Sequence, residues 1–130
     1  MFDFSPPMLE MSRARVGHHP TAVFVLGDFK QPHWTRALET PLDAVVTMQA
    51  VHEIRHKRHV PGLYRQVHAL LRPGGVLLVS DHVPADDTPR KRALFATEEE
   101  QHAAMRSAGF ERVATRLLLS GLYLIAGTRA

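Results

Sequence analysis

The sequence has no cysteine, few aromatic residues and no long apolar segment. Without cysteine there is no disulfide, no zinc thiolate site and no thiol nucleophile. No apolar run approaches the roughly 20 residues that a membrane-spanning helix needs. The first residues also lack the basic start and apolar run of a signal peptide. We therefore expect no membrane association and a cytoplasmic location.

The chain also lacks a large net charge: it has 16 Lys and Arg residues and 13 Asp and Glu residues, which gives a formal net charge of +3. So small an excess does not indicate a nucleic-acid partner unless it is concentrated in one patch. A basic run at residues 55–59 has no aromatic residue between its charges. Because single-stranded nucleic acids bind through stacking rings as well as charge, we interpret this run as a solvated surface loop.

Length and apolar patterning predict a single α/β domain over residues 1–130. Three short apolar runs are typical of strands in a parallel sheet that is covered on both faces; they lie at residues 21–26, 44–48 and 76–79. Helices are predicted between them. Ser5 and Pro6 mark the start of the first helix and Gly17 its end. Pro61 opens a second helix, whose apolar stripe is Leu63, Val67, Leu70 and Leu71.

The C-terminal part carries a helix followed by two strands. Thr97 and Glu100 form a capping box at the start of that helix. Two apolar stretches follow, at residues 110–119 and 122–128, joined only by Ser120 and Gly121. Two residues suffice for a hairpin but not for a parallel crossover. The element order is therefore β-α-β-α-β-α-β-α-β-β, and we expect a three-layer α/β sandwich with a mostly parallel sheet and a C-terminal antiparallel hairpin.

The segment His52–His56 reads H-E-x-x-H, a pattern that binds zinc when it lies on a helix. The two histidines then share one face and the glutamate acts as general base, with His59 or His68 as a third ligand. The surroundings favour another interpretation, since the segment directly follows a buried strand and Pro61-Gly62 breaks the chain soon after. We expect no metal site and keep a zinc hydrolase as the third alternative.

Five short motifs, taken in order, resemble the class I, Rossmann-like S-adenosylmethionine-dependent methyltransferases. They lie at residues 2–9, 27–29, 42–52, 71–75 and 107–110, and include the Leu-x-Pro-Gly-Gly turn and the Ala-Gly-Phe segment. The resemblance covers nearly the whole chain. It implies a Rossmann-like fold, S-adenosylmethionine as cofactor and methyl transfer to a small molecule. The alternative from another class is a non-catalytic, methyltransferase-like binding or dimerisation subunit.

The chain departs from this family at its start, where the first strand and its acidic, glycine-rich loop would precede residue 1. The adjacent glycines Gly74 and Gly75 lie in a different turn. The resemblance thus implies a truncated domain that lacks its first strand and, as an isolated chain, binds the cofactor weakly or not at all. It further implies unpaired strand edges, which a homodimer would repair.

The resemblance also assigns roles to residues that follow the predicted strands. Asp3, with Phe4 beside it, would accept hydrogen bonds from the ribose hydroxyls. Asp28 would contact the adenine amino group, and Phe29 would line the ring.

After the next strand, Met48, Gln49 and Ala50 would line the sulfonium end of the cofactor, at the carboxyl end of the strand, where open α/β sheets bind ligands. His52 and Glu53 would face the methyl acceptor, as candidates for a general base. His82, which follows Asp81 at the end of another strand, is a weaker candidate.

Overall fold

A computed structural model describes residues 1–84 and 88–130, which form two compact units, Met1–Glu39 and Thr40–Ala130. The single domain expected from the length therefore stays a prediction. The first unit contains β1 (Phe2–Asp3), α1 (Pro6–Val16), β2 (Val25–Leu26) and a 3-10 turn (Trp34–Ala37). The second contains β3 (Leu42–Met48), 3-10 turns at Val51–Ile54 and Lys57–His59, α2 (Val60–Leu70), β4 (Leu71–His82), α3 (Pro89–Leu94), α4 (Glu98–Ser107), β5 (Phe110–Leu119) and β6 (Leu122–Arg129).

In the first unit, α1 begins and ends where the sequence predicts. Pro6 is its first residue, and Gly17 ends it in a left-handed conformation with φ of 66°. The Ser5 side chain makes no capping hydrogen bond; instead, Asp3 Oδ1 accepts from the Ser5 backbone N–H at 2.9 Å. The strand expected at residues 21–26 is confined to two residues, because β1, its parallel partner, offers only two residues to pair with.

In the second unit, four strands form one mixed sheet in the order β3-β4-β6-β5. β3 pairs with β4 in parallel, whereas β6 is antiparallel to both β4 and β5. The predicted hairpin at Ser120-Gly121 is confirmed, since Leu119 pairs with Leu122 on either side of that turn. The α/β class predicted from the sequence is confirmed as well.

The core of the second unit lies between the sheet and helices α2 and α4. The stripe predicted on α2 is buried, but its last residue, Leu71, begins β4 and does not belong to the helix. Leu77 and Val79 on β4 and Ile125 on β6 are buried as well. The capping box that starts α4 is present as predicted. None of the helices in residues 1–84 and 88–130 has the length and apolarity that crossing a bilayer requires.

A buried polar chain ties α2, α4 and β6 together within this core. The Tyr64 hydroxyl donates to Gln101 Oε1, and Gln101 Nε2 donates to the Tyr123 hydroxyl oxygen at 2.8 Å. Burial raises the pKa of Tyr64 well above its usual value, with the nearby Tyr123 and Asp81 adding to the effect. Because each buried polar group has a partner, the chain fixes how these three elements pack.

Candidate functional site

Two carboxylates follow the paired strands of the first unit. Asp3 is the last residue of β1, and Asp28 comes two residues after β2. Because the strands are parallel, their carboxyl ends lie at the same edge. Asp28 Oδ1 accepts from the Lys30 backbone N–H at 2.9 Å, much as Asp3 Oδ1 accepts from Ser5. Within the described part of the chain, the Oδ2 atom of each carboxylate takes no hydrogen bond and can accept one from a ligand.

Lys30 joins the two carboxylate-bearing segments of the first unit. Its Nζ lies 3.5 Å from Asp28 Oδ1 and within cation–π distance of two rings, 4.7 Å from the Phe4 centroid and 5.7 Å from that of Phe29. Three of the four residues predicted here, Phe4, Asp28 and Phe29, therefore lie near one ammonium group, and Asp3 directly precedes Phe4 in the chain. Sequence reasoning missed Lys30, because a single lysine after a strand carries no motif of its own.

In the second unit, the residues expected to line a ligand follow β3 directly. Met48 ends the strand and is 70% exposed. Gln49 has a left-handed φ of 49°, and its N–H donates to Ser80 O on β4 at 2.8 Å. Ala50 then precedes the 3-10 turn, which the buried Val51 anchors. All three residues thus lie at the carboxyl end of β3, while their roles stay predictions.

His52 in that turn is held by Asp81, near the end of β4. The ring Nδ1 lies 2.8 Å from Asp81 Oδ1, and the His52 backbone N–H donates to Oδ2 at 3.2 Å. Oδ1 also accepts from the His82 N–H at 2.8 Å. Asp81 is only 2% exposed, so three donors satisfy a carboxylate that water hardly reaches. Sequence reasoning flagged Asp81 only beside His82, because pairing across 29 positions leaves no local pattern.

This pairing determines the chemistry of the His52 ring. A carboxylate can only accept hydrogen bonds, so the Nδ1 atom facing it carries the proton. The lone pair is then on Nε2, which lies 3.6 Å from Glu53 Oε1. The ring is stacked on Phe95 at 4.8 Å, tilted by 27°, and lies edge-on to His82 at 5.9 Å. The arrangement can act as a general base with a fixed orientation.

The same local structure argues against the zinc interpretation of His52–His56. A zinc-binding H-E-x-x-H segment needs one continuous helix, whereas here a short 3-10 turn ends at Arg55, whose φ is 74°. His56 Nδ1 instead accepts from the Arg58 N–H at 3.1 Å. Within residues 1–84 and 88–130, no three His, Asp or Glu side chains form a group that could hold a metal ion. We therefore do not propose a zinc hydrolase.

The sequence model of a family described as "Methyltransferase domain" matches residues 1–75. No curated protein sequence matches the chain.

Among solved structures, 99% of the chain superimposes on human N-acetylserotonin methyltransferase in complex with SAM (16% identity, TM-score 0.70, 39% of that protein covered). The same share superimposes on the trans-methyltransferase CalH in complex with SAH (17% identity, TM-score 0.77, 42% covered) and on DesVI of Streptomyces venezuelae (21% identity, TM-score 0.68, 73% covered). The chain thus spans less than half of the first two proteins. At these identities the likeness establishes the fold.

Proposed function

Because the chain belongs to the methyltransferase-domain family, we propose that it transfers a methyl group from S-adenosylmethionine to a small-molecule acceptor. Its Rossmann-like methyltransferase fold, expected from the sequence, is confirmed. The observation that carries the proposal is the Asp81-held imidazole of His52. It follows β3 and adjoins the end of β4, and open α/β sheets bind their ligands at the carboxyl ends of strands.

The residues of the first unit fit the polar groups of the cofactor. Asp3 and Asp28 each offer a carboxylate oxygen to a hydroxyl or amino donor, and Phe4 and Phe29 offer apolar ring surface. We assign the ribose hydroxyls to Asp3 and the adenine to Asp28 and Phe29. In the second unit, we assign the sulfonium end to the loop that contains Met48, Gln49 and Ala50. S-adenosylmethionine, when bound, supplies an electrophilic methyl carbon.

His52 removes the proton that the acceptor must lose. Its Nε2 atom carries the lone pair and takes this proton, while the Nδ1–H bond to Asp81 stabilises the imidazolium that forms. Glu53, 3.6 Å from Nε2, adds a second negative charge beside that cation. A base is useful only where the nucleophile holds its proton tightly at neutral pH, so the proposed acceptor is a hydroxyl compound. Positioned bases contribute about 10²–10⁴-fold to the rate.

Cofactor binding is tested by following amide NMR signals during titration with S-adenosylhomocysteine, a method that detects weak binding. We expect shifts at the amides of Asp3, Phe4, Asp28 and Phe29. The double variant Asp3→Asn, Asp28→Asn should lose them, because an amide keeps the shape of a carboxylate but not its charge. The matched control is Asp43→Asn, at an exposed aspartate paired with Arg72. Equal shifts in all three proteins would contradict the assignment.

Catalysis is tested separately, by measuring S-adenosylhomocysteine released from S-adenosylmethionine in the presence of small phenols and alcohols. We expect release that depends on the acceptor and falls at least tenfold in His52→Gln. His18→Gln is the control, since His18 is an exposed histidine of the first unit. Cofactor binding without release with any acceptor would favour the alternative, a non-catalytic methyltransferase-like subunit.

Two finer expectations belong to the same proposal. We propose a cytoplasmic location, which fractionation of cells that produce the protein would test. We also propose a homodimer, because the sheet of the second unit ends in strand edges that can pair.

A further inference from the structure

A cavity of about 450 Å³ lies in the second unit, between α2, α4 and the 3-10 turn at Lys57–His59. Its floor is apolar and buried, and is formed by Val60, Ala96 and Ala104. Ala103 on α4 lines it as well and is exposed, so the cavity can be reached from solvent. Ligand pockets usually have volumes of about 300–1,000 Å³ and mostly apolar walls. The size and lining of this cavity therefore fit a small organic molecule.

This cavity is separate from the imidazole of His52. Phe95 stacks its ring on that imidazole, whereas the next residue, Ala96, lines the cavity. The backbone of Phe95 is extended, with φ of −94° and ψ of 123°, and successive side chains of an extended segment point to opposite sides. Of the described residues that line the cavity, none belongs to the first unit or to β3. The cavity is therefore distinct from the proposed cofactor site and from the proposed base.

Three charged side chains line the cavity, namely Lys57 and Arg58 on the turn and Glu100 on α4. Lys57 Nζ donates to Glu100 Oε1 at 2.5 Å, so these two charges neutralise each other. Arg58 Nε donates to His59 Nε2 at 3.2 Å, and within residues 1–84 and 88–130 the guanidinium pairs with no carboxylate. One positive charge with further N–H donors thus remains available to a ligand.

His56 supplies a second donor beside this guanidinium. It also lines the cavity and is half-buried. Its Nδ1 atom accepts from the Arg58 backbone N–H at 3.1 Å, so the neutral ring carries its proton on Nε2. The free groups of this wall are therefore donors, and together they call for a ligand with acceptor oxygens and a negative charge. A carboxylate has both, and its two oxygens match the planar fork of an arginine.

We propose that this cavity binds a small monocarboxylic acid with a hydrocarbon chain. The carboxylate is held by Arg58 and by the Nε2–H of His56, and the chain lies against the apolar floor. The Arg58 charge repels a cation, and an uncharged alcohol of the same length leaves the guanidinium without an anion. A second carboxylate in the ligand is disfavoured, because it would meet apolar walls or the negative charge of Glu100. This inference does not depend on methyl transfer.

Binding is tested by isothermal titration calorimetry of the wild-type chain with octanoate, in the absence of S-adenosylmethionine. We expect saturable binding of one octanoate per chain. Octylammonium and 1-octanol have the same chain without the negative charge, and each should bind at least tenfold more weakly, because a hydrogen bond to a charged group is lost. No saturable binding at millimolar octanoate, or equal affinities for the acid, the amine and the alcohol, would overturn the proposal.

Two pairs of variants at exposed positions locate the site. Arg58→Gln removes the guanidinium and should weaken octanoate binding at least tenfold, whereas Arg55→Gln, at an arginine of the same basic run that does not line the cavity, should not. Ala103→Leu fills the cavity from its rim and should also weaken binding at least tenfold, whereas Ala103→Ser leaves it open and should not. Far-UV circular dichroism checks that each variant is folded. Wild-type affinity in either Arg58→Gln or Ala103→Leu would overturn the proposal.

Discussion

Replacing Asp81 by asparagine keeps the size of the side chain but removes its charge and one acceptor. In the native protein, Oδ1 accepts from His52 Nδ1 and the His82 N–H, and Oδ2 accepts from the His52 N–H. If the amide oxygen takes the Oδ1 position, its NH₂ group faces the His52 N–H, donor against donor. A buried donor left without a partner costs about 1–3 kcal/mol. We expect Asp81→Asn to lower the free energy of unfolding by that amount.

The assay is urea denaturation of wild type, Asp81→Asn and Asp43→Asn. Asp43 is the matched control because its side chain is 83% exposed and pairs with Arg72 at the surface. Such pairs contribute about 0–1 kcal/mol. Asp81→Asn should lower the midpoint without changing the slope, as expected when stability alone changes. Equal midpoints for the two variants would refute the view that Asp81 is a buried, fully used acceptor.

A second measurement tests the orientation that Asp81 gives to His52. Nitrogen NMR of the imidazole distinguishes the two neutral tautomers. In the wild type we expect the proton on Nδ1, facing the carboxylate. In Asp81→Asn, the uncharged amide can also donate to Nδ1, so the other tautomer should be populated and the proposed base weakened. A wild-type His52 with its proton on Nε2 would refute the proposed role of Nε2.

Two further predictions concern packing and charge. Gly27→Ala should lower the melting temperature by several degrees, because the new Cβ would lie 2.6 Å from the Phe2 ring and force it to move. Gly62→Ala should not, because its new Cβ would meet only the Arg65 side chain, at an ordinary contact distance of 3.9 Å. Partial burial raises the pKa of Glu100, but hydrogen bonds from Lys57 and the helix cap outweigh this, so that its pKa lies below the usual 4.5. A depressed pKa stabilises the fold above about pH 4.5 and the effect is lost as pH falls. At neutral pH, Glu100→Gln should therefore have a free energy of unfolding that is lower than that of the wild type by less than about 1 kcal/mol. Near pH 3 the two proteins should be equally stable. Urea denaturation at both pH values measures the difference.

Features that depend on neighbouring residues could be predicted from the sequence. The start of α1 at Pro6, the capping box at Thr97 and the hairpin at Ser120-Gly121 each follow from the stereochemistry of a few consecutive residues. The apolar stripe of α2 at Leu63, Val67 and Leu70 is equally local, because helical periodicity alone places these residues on one face. The order of these elements and their motifs was enough to predict the methyltransferase family.

What depends on distant residues was decided only by the tertiary structure. The strand expected at residues 21–26 is short because its length depends on β1, its partner across the sheet. The role of Asp81 could not be predicted, since it arises from β3 and β4 lying side by side and bringing His52 within 2.8 Å. The H-E-x-x-H pattern, in contrast, is present in the sequence but does not form the zinc site that it predicts. Its segment forms a short 3-10 turn that ends at Arg55, whereas a zinc site needs a continuous helix. His52 instead contacts the distant carboxylate of Asp81. A sequence pattern determines only how far apart residues lie along the chain, whereas a catalytic or metal site depends on the distances between side chains in the folded protein.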